Sequence, residues 1–251
     1  MSIIYIAKVL CCILFLSISQ HIHASQAVIT FVYVGETEHS AYSGVLQGLT
    51  EANLQGKFLG QKYNIQNFSS ASSLPDDLSN YIAVISALSI HELLILQENI
   101  RDIPIFNLTA HDNSLRSDCP NNILSIIPSD QMNDDAIKQW DQGHPNSSVE
   151  ATAWHKDFLK FAARDLNKRF RKSFDKGMDG YAWAGWATIR MVADTVARES
   201  ITNPVESSIS PSACISNLNA NPYKLLHGWS FGTFVSLRAD SKRIVCTSLC
   251  I

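Results

Sequence analysis

The chain has 251 residues, enough for one large domain or two small ones, and 46% of them are hydrophobic, an ordinary share for a protein with a buried core. Its 20 basic and 23 acidic side chains leave a formal net charge of −3. No global field therefore marks a nucleic-acid binder or an acidic tail protein.

At the N-terminus Lys8 precedes an apolar run from Val9 to Ile18, followed by a polar stretch ending in Ile22-His23-Ala24. That order reads as a secretory signal peptide spanning residues 1–24, removed after Ala24. The run of about ten apolar residues is short against the roughly twenty that cross a bilayer, and a membrane anchor is the alternative. Cys11 and Cys12 sit too deep in the run for lipidation and leave with it. Cys119, Cys214, Cys246 and Cys250 remain, and an oxidising compartment allows three pairings among which the sequence does not choose. The spacing of Cys246 and Cys250 suits a metal or redox pair, yet no histidine follows His227. Structural or unpaired thiols are expected, and no metal site.

Residues 28–34 read Val-Ile-Thr-Phe-Val-Tyr-Val, the β-branched and aromatic run of a strand buried on both faces. Tyr42, Val45, Leu46, Leu49 and Ala52 recur at helical spacing, with Gly56 placed to end the helix. Further strands are predicted over 62–68, 81–85, 103–106 and 122–127, with Pro104 at a strand start or an edge. Ser89 and Glu92 form a capping box for the helix carrying Ile90, Leu93 and Leu94. Pro128-Ser129 opens another helix towards Trp140. The alternation predicts an α/β fold with a parallel sheet and right-handed crossovers.

The second half differs. Residues 141–148 are a linker by composition. Leu159, Ala163, Leu166, Phe170 and Phe174 then mark one helix, and a second runs over about 181–199. Only 231–237 and 243–247 suggest strands, with a polar turn between. The domains read as 25–140, an N-terminal α/β lobe, and 141–251, an incomplete and mainly helical second lobe.

Gly228-Trp229-Ser230-Phe231-Gly232 matches a nucleophile elbow, but no histidine follows Ser230 and the next residues look like strand rather than helix. His91-Glu92 lacks the second histidine of a zinc-protease helix, and no phosphate-binding glycine loop is present. A catalytic set cannot be assembled, so an enzyme is not expected. Lys156, Lys160, Arg164, Lys168 and Lys172 form a basic stripe, read as a solvated helix face or as an attractor of anions. In a parallel sheet, loops at the carboxyl ends of strands face the ligand crevice, which nominates Glu36, Thr37, Ser86, Ser89, Asn107 and Thr109. Ser86 and Ser89 could present hydroxyls and a helix N-terminus to a carboxylate, or Ser89 could merely cap its helix. Trp183, Trp186 and Arg190 share a helix face that is either core or a stacking wall for a planar ligand.

Gly56-Lys57-Phe58-Leu59-Gly60-Gln61, the stretch from Cys119 to Pro128-Ser129, and above all Thr152-Ala153-Trp154-His155 with Leu166-Asn167-Lys168-Arg169-Phe170 carry a resemblance. Tyr181-Ala182-Trp183 with Trp186 extends it. The chain resembles the type I periplasmic solute-binding proteins of the branched-chain amino-acid binding family, in the branch accompanying quinone-dependent alcohol dehydrogenase systems. The resemblance implies a periplasmic, non-catalytic binding component of an ABC transporter, partnered by its membrane subunits or by the alcohol dehydrogenase system. It implies a small anionic solute as ligand, with pyrroloquinoline quinone or an alcohol-oxidation metabolite as candidates and a branched-chain amino acid as the alternative. Trp154, Trp183 and Trp186 would then join the ligand-binding set, and no cofactor is implied beyond a bound quinone. Such proteins resemble one another in having two closing lobes. The strands of the second should fall between Trp140 and Thr152, where only the linker stands, so a truncated remnant that binds nothing is the rival reading. The helices beyond about Val149 are therefore expected to lack the sheet they once covered, and to dock loosely or self-associate.

Overall fold

The β-branched and aromatic run near the N-terminus forms β1 (Ala27–Val34), an interior strand of a five-stranded, all-parallel sheet. The computed structural model describes residues 26–117, 122–145, 148–159 and 162–202, together with the pairs 234–235 and 244–245. The predicted signal peptide, all four remaining cysteines, Lys160 and the Gly228–Gly232 motif lie outside these residues. Beside β1 lie β2 (Gln61–Phe68) on one side and β3 (Ala83–Ser86), β4 (Ile105–Asn107) and β5 (Ile123–Ser125) on the other, in the order β2-β1-β3-β4-β5.

The alternation of β1 side chains sorts the helices into two layers. Ile29, Phe31 and Tyr33 face α1 (Ser40–Leu59) and α6 (Gly180–Thr202), meeting Val45, Ala52, Ile189, Val192 and Val196. Val32 and Val34 face the opposite layer, where α2 (Ile90–Asn99) contributes Leu93 and Leu96, and the single turn α3 (Ser114–Ser117) contributes Leu115. After β5, α4 (Asp130–Asp141) begins at Ser129, whose hydroxyl accepts the Met132 N–H.

Several predicted boundaries move, each for a local reason. Helix α1 passes through Gly56 and ends at Gly60, which takes φ 66° and donates its N–H to the Gly56 carbonyl. Gly56 is required for clearance instead: a Cβ there would lie 2.5 Å from the Gln61 carbonyl oxygen. Strand β3 begins at Ala83 because Tyr81 is held in a turn by its N–H bond to the Leu78 carbonyl. Pro104 precedes β4, and its carbonyl accepts the Val84 N–H. Leu159 is not helical and is 65% exposed; α5 spans Ala163–Phe174.

The apolar faces in the second half find partners, contrary to the expectation of loose docking. Helix α6 belongs to the core of the sheet itself, and it lies close against α1 through glycines on both helices. A Cβ on Gly44 would stand 1.7 Å from the Ala182 carbonyl oxygen, and one on Gly185 2.3 Å from that of Ala41. Helix α5 packs Ala163, Leu166 and Phe170 against Trp154, Met178, Ala182 and Trp186. Val149 and Ala151, on the connection from α4 towards Trp154, rest on Ala136 and Trp140. Within the two predicted C-terminal strands, β6 (Phe234–Val235) pairs antiparallel with β7 (Ile244–Val245). Among the described residues no helix is long and apolar enough to cross a membrane.

Candidate functional site

In this strand order the chain turns opposite ways after β1 and β3, sending α1 to one layer and α2 to the other. A crevice opens at their carboxyl ends, where such sheets hold ligands. Gly35 lets the two loops touch: it has φ 140°, and a Cβ there would lie 3.0 Å from the Ala87 Cβ and 3.1 Å from its carbonyl oxygen. The crevice is an open cavity of about 430 Å³. It is lined by His39 after β1, by Ala87, Leu88, Ser89 and Ile90 after β3, by Thr109, Ala110, His111 and Asp112 after β4, and by Asp130 at the start of α4.

Three helices of 20, 10 and 12 residues begin on this cavity. His39 caps α1, its Nδ1 accepting the Ala41 N–H at 3.2 Å. Ser89 caps α2: its hydroxyl accepts the Glu92 N–H at 3.4 Å and donates to the Glu92 carboxylate at 2.7 Å. The Ser89 N–H donates to the same carboxylate at 3.2 Å, completing the predicted capping box. The first N–H groups of a helix have no partner within it, and together with the aligned peptide dipoles they favour negative charge at that end.

Of the residues nominated from sequence, Ser89 and Thr109 line the cavity, and the Thr109 hydroxyl ties two of its walls together by donating to the Leu88 carbonyl at 2.9 Å. Ser86 and Asn107 are buried behind it. The Ser86 hydroxyl accepts the Leu88 N–H at 3.4 Å. The Asn107 amide donates to the Ala110 carbonyl at 2.7 Å and to the Ser125 hydroxyl at 3.1 Å, while its oxygen accepts the N–H groups of Thr109 and Ala110. Asn107 thus shapes the loop and does not face the cavity. Glu36 and Thr37 are exposed on the loop after β1, outside the lining; the Glu36 carbonyl accepts the Tyr33 hydroxyl and Thr37 donates to Glu38.

The tryptophans also lie elsewhere. Trp154 and Trp186 are buried in the cluster between α5 and α6, where Trp154 stacks on Trp183 at 5.9 Å between ring centroids and 9° between planes. The Trp154 indole N–H donates to Asn167 at 2.9 Å and that of Trp186 to Glu51 at 3.0 Å. None of the three lines the cavity. The side chain of α6 that touches the lining residues is Tyr181, whose hydroxyl lies 3.1 Å from His111 Nε2 and whose ring meets His39 and His111 edge-on at 5.2 and 5.7 Å. Burial, then the charges of Asp179 and Asp130, push the Tyr181 phenol above its ordinary pKa and keep it protonated. His39, His111, Asp112, Asp130 and Tyr181 were not legible as a group, because each is a solitary polar residue until the fold gathers them. Among the described residues no set of three or more His, Cys, Asp or Glu is placed to hold a metal ion.

No protein-family profile and no curated protein sequence matches the chain. Solved structures do match. An ABC transporter substrate-binding protein from Desulfitobacterium hafniense in complex with Leu aligns with a TM-score of 0.62 at 12% identity, over 77% of this chain and 89% of that one. The branched-chain amino acid transporter substrate-binding protein of Streptococcus pneumoniae in complex with isoleucine gives 0.60 at 8%, over 76% and 87%. A putative branched-chain amino acid ABC transporter protein from Rhodospirillum rubrum gives 0.61 at 9%, over 89% and 96%. The parallel α/β architecture is therefore that of the type I periplasmic binding proteins.

Proposed function

We propose that the chain is an exported, periplasmic solute-binding component of an ABC transporter, and that its cavity takes a small solute bearing a carboxylate. The observation that carries this is the convergence of three helix N-termini on one cavity at the topological switch point of the sheet. A carboxylate seated there meets the Ile90 and His91 N–H groups in the first turn of α2, while the first N–H groups of α4 are taken by His111, Asn113 and Ser129 and that helix acts through its dipole. Asp112 and Asp130, which also line the cavity, supply acceptors for an ammonium group. A cavity of about 430 Å³ suits a molecule of amino-acid size, so an aliphatic amino acid is the ligand of choice. That reading agrees with the leucine and isoleucine complexes of the structural neighbours.

Pyrroloquinoline quinone is the second ligand, since its carboxylates suit the same helix ends. It would bind without the tryptophan wall, because Trp154, Trp183 and Trp186 pack away from the cavity. On this reading the connection over 142–151 is where the strands of a second lobe are missing, and binding rests on the first lobe with Tyr181 from α6. The test is a thermal-shift series with leucine, isoleucine and the quinone. A ligand at a hundred times its dissociation constant stabilises by about 2.7 kcal/mol, an easily read shift. Stabilisation by leucine or isoleucine supports the amino-acid reading, and stabilisation by the quinone alone replaces it. No shift with any of them makes the chain a non-binding remnant.

A further inference from the structure

We propose that His111 and Tyr181 form a proton-operated donor for the carboxylate of the solute, so that an anion is held more tightly when His111 is protonated; this rests on the cavity being the binding site. His111 Nδ1 lies 2.8 Å from the Pro128 carbonyl oxygen, which can only accept, so Nδ1 carries a proton in every state of the ring. In the neutral ring Nε2 is then a bare acceptor, and the Tyr181 hydroxyl, 3.1 Å away, donates to it. The pair is closed on itself and offers an incoming anion nothing. When the ring gains a proton, Nε2 becomes a donor to the phenol oxygen, and the phenol proton is released from that bond, beside the two lining histidines that the Tyr181 ring touches. One proton taken up at His111 thus creates both a positive charge and a redirected O–H beside the helix N-termini.

The surroundings give the switch a consequence. The charged groups facing the pair are Asp112 and Asp130 on the cavity wall and Asp179 beside Tyr181 on α6, with His39 across the Tyr181 ring. With both histidines neutral these carboxylates repel an anion. His39 is poorly suited to the same role, since its Nδ1 accepts the Ala41 N–H and protonation would sacrifice that cap.

Acetate serves as the minimal carboxylate probe, with nitrogen-15 NMR of the full chain as the readout. The free protein should show the neutral His111 ring as the Nδ1–H tautomer. Acetate should bind about tenfold more weakly per pH unit while the ring loses its proton, and it should move the His111 titration to higher pH by linkage. In Tyr181→Phe the tautomer should persist while the acetate effect shrinks, and in His111→Gln the pH dependence of acetate binding should vanish. An Nε2–H tautomer, a His111 titration indifferent to acetate, or a pH dependence that survives His111→Gln overturns the proposal. Failure of leucine to bind, with the acetate effect intact, counts against the amino-acid reading alone.

Discussion

Replacing Gly44 with alanine tests the joint between the two halves of the chain. In an isolated helix the change is favourable by about 1 kcal/mol, because alanine loses less backbone entropy than glycine. Here the new Cβ would fall 1.7 Å from the Ala182 carbonyl oxygen, 2.5 Å from its carbon and 2.8 Å from its Cα, all backbone atoms that no rotamer change can move. Ordinary contact needs about 3.4 Å or more, so α1 and α6 must separate by more than 1 Å locally. Gly48 and Gly185 lie along the same seam, so the shift also loosens the packing of Ile189 and Val45. Overpacking a well-filled core costs about 1–3 kcal/mol, and rigid backbone places this case at the upper end or beyond it. The net expectation is a loss of about 2 kcal/mol or more despite the better helix former. Urea unfolding followed by tryptophan fluorescence and by far-ultraviolet circular dichroism reads it, the wild type giving one coincident transition. A Gly44→Ala variant more stable than wild type would refute the packing of α6 on α1, and separate transitions for the two probes would refute a shared core.

Phe170 is fully buried between α5 and α6, so Phe170→Ala should cost about 3–5 kcal/mol in chemical unfolding. Burial raises the pKa of the Glu51 carboxyl, but hydrogen bonds from Arg169, Trp186 and Gln47 outweigh it and hold the group below its ordinary value. Such a group contributes stability above the ordinary carboxylate range, and that contribution is lost as pH falls through the lower folded value. Wild type should therefore lose stability between pH 5 and 3 more steeply than Glu51→Gln, read from denaturation midpoints at each pH. Asn107→Ala removes four hydrogen bonds that shape the loop from Leu108 to Ala110, and should lower stability by about 1–3 kcal/mol while weakening ligand binding, seen by calorimetry. Ser89→Ala should cost about 1 kcal/mol as a lost cap.

The sheet was legible because its signals are local. The residues of β1 announce a doubly buried strand, and Ser89 with Glu92 and Ser129 mark helix starts by chemistry confined to one turn. The seam between α1 and α6 was written as well, in Gly44, Gly48, Ala52 and Gly56 at four-residue spacing, a stripe that permits close helix contact. Reading Gly56 only as a terminator hid it. Tryptophan periodicity could identify a face of α6 without deciding which neighbour it meets, and α5 covers that face. The cavity was half legible: strand-end loops follow from topology, whereas the meeting of His39, His111 and Tyr181, separated by 72 and 70 residues, exists only in the folded chain.

Hydrogen exchange of the chain with and without saturating leucine tests the central claim most directly. The account predicts slower exchange at the starts of α1, α2 and α4 and in the loop from Thr109 to Asp112, with Trp154, Trp183 and Trp186 unaffected. Protection confined to the tryptophan cluster, or leucine binding that leaves the strand-end loops unchanged, would contradict it.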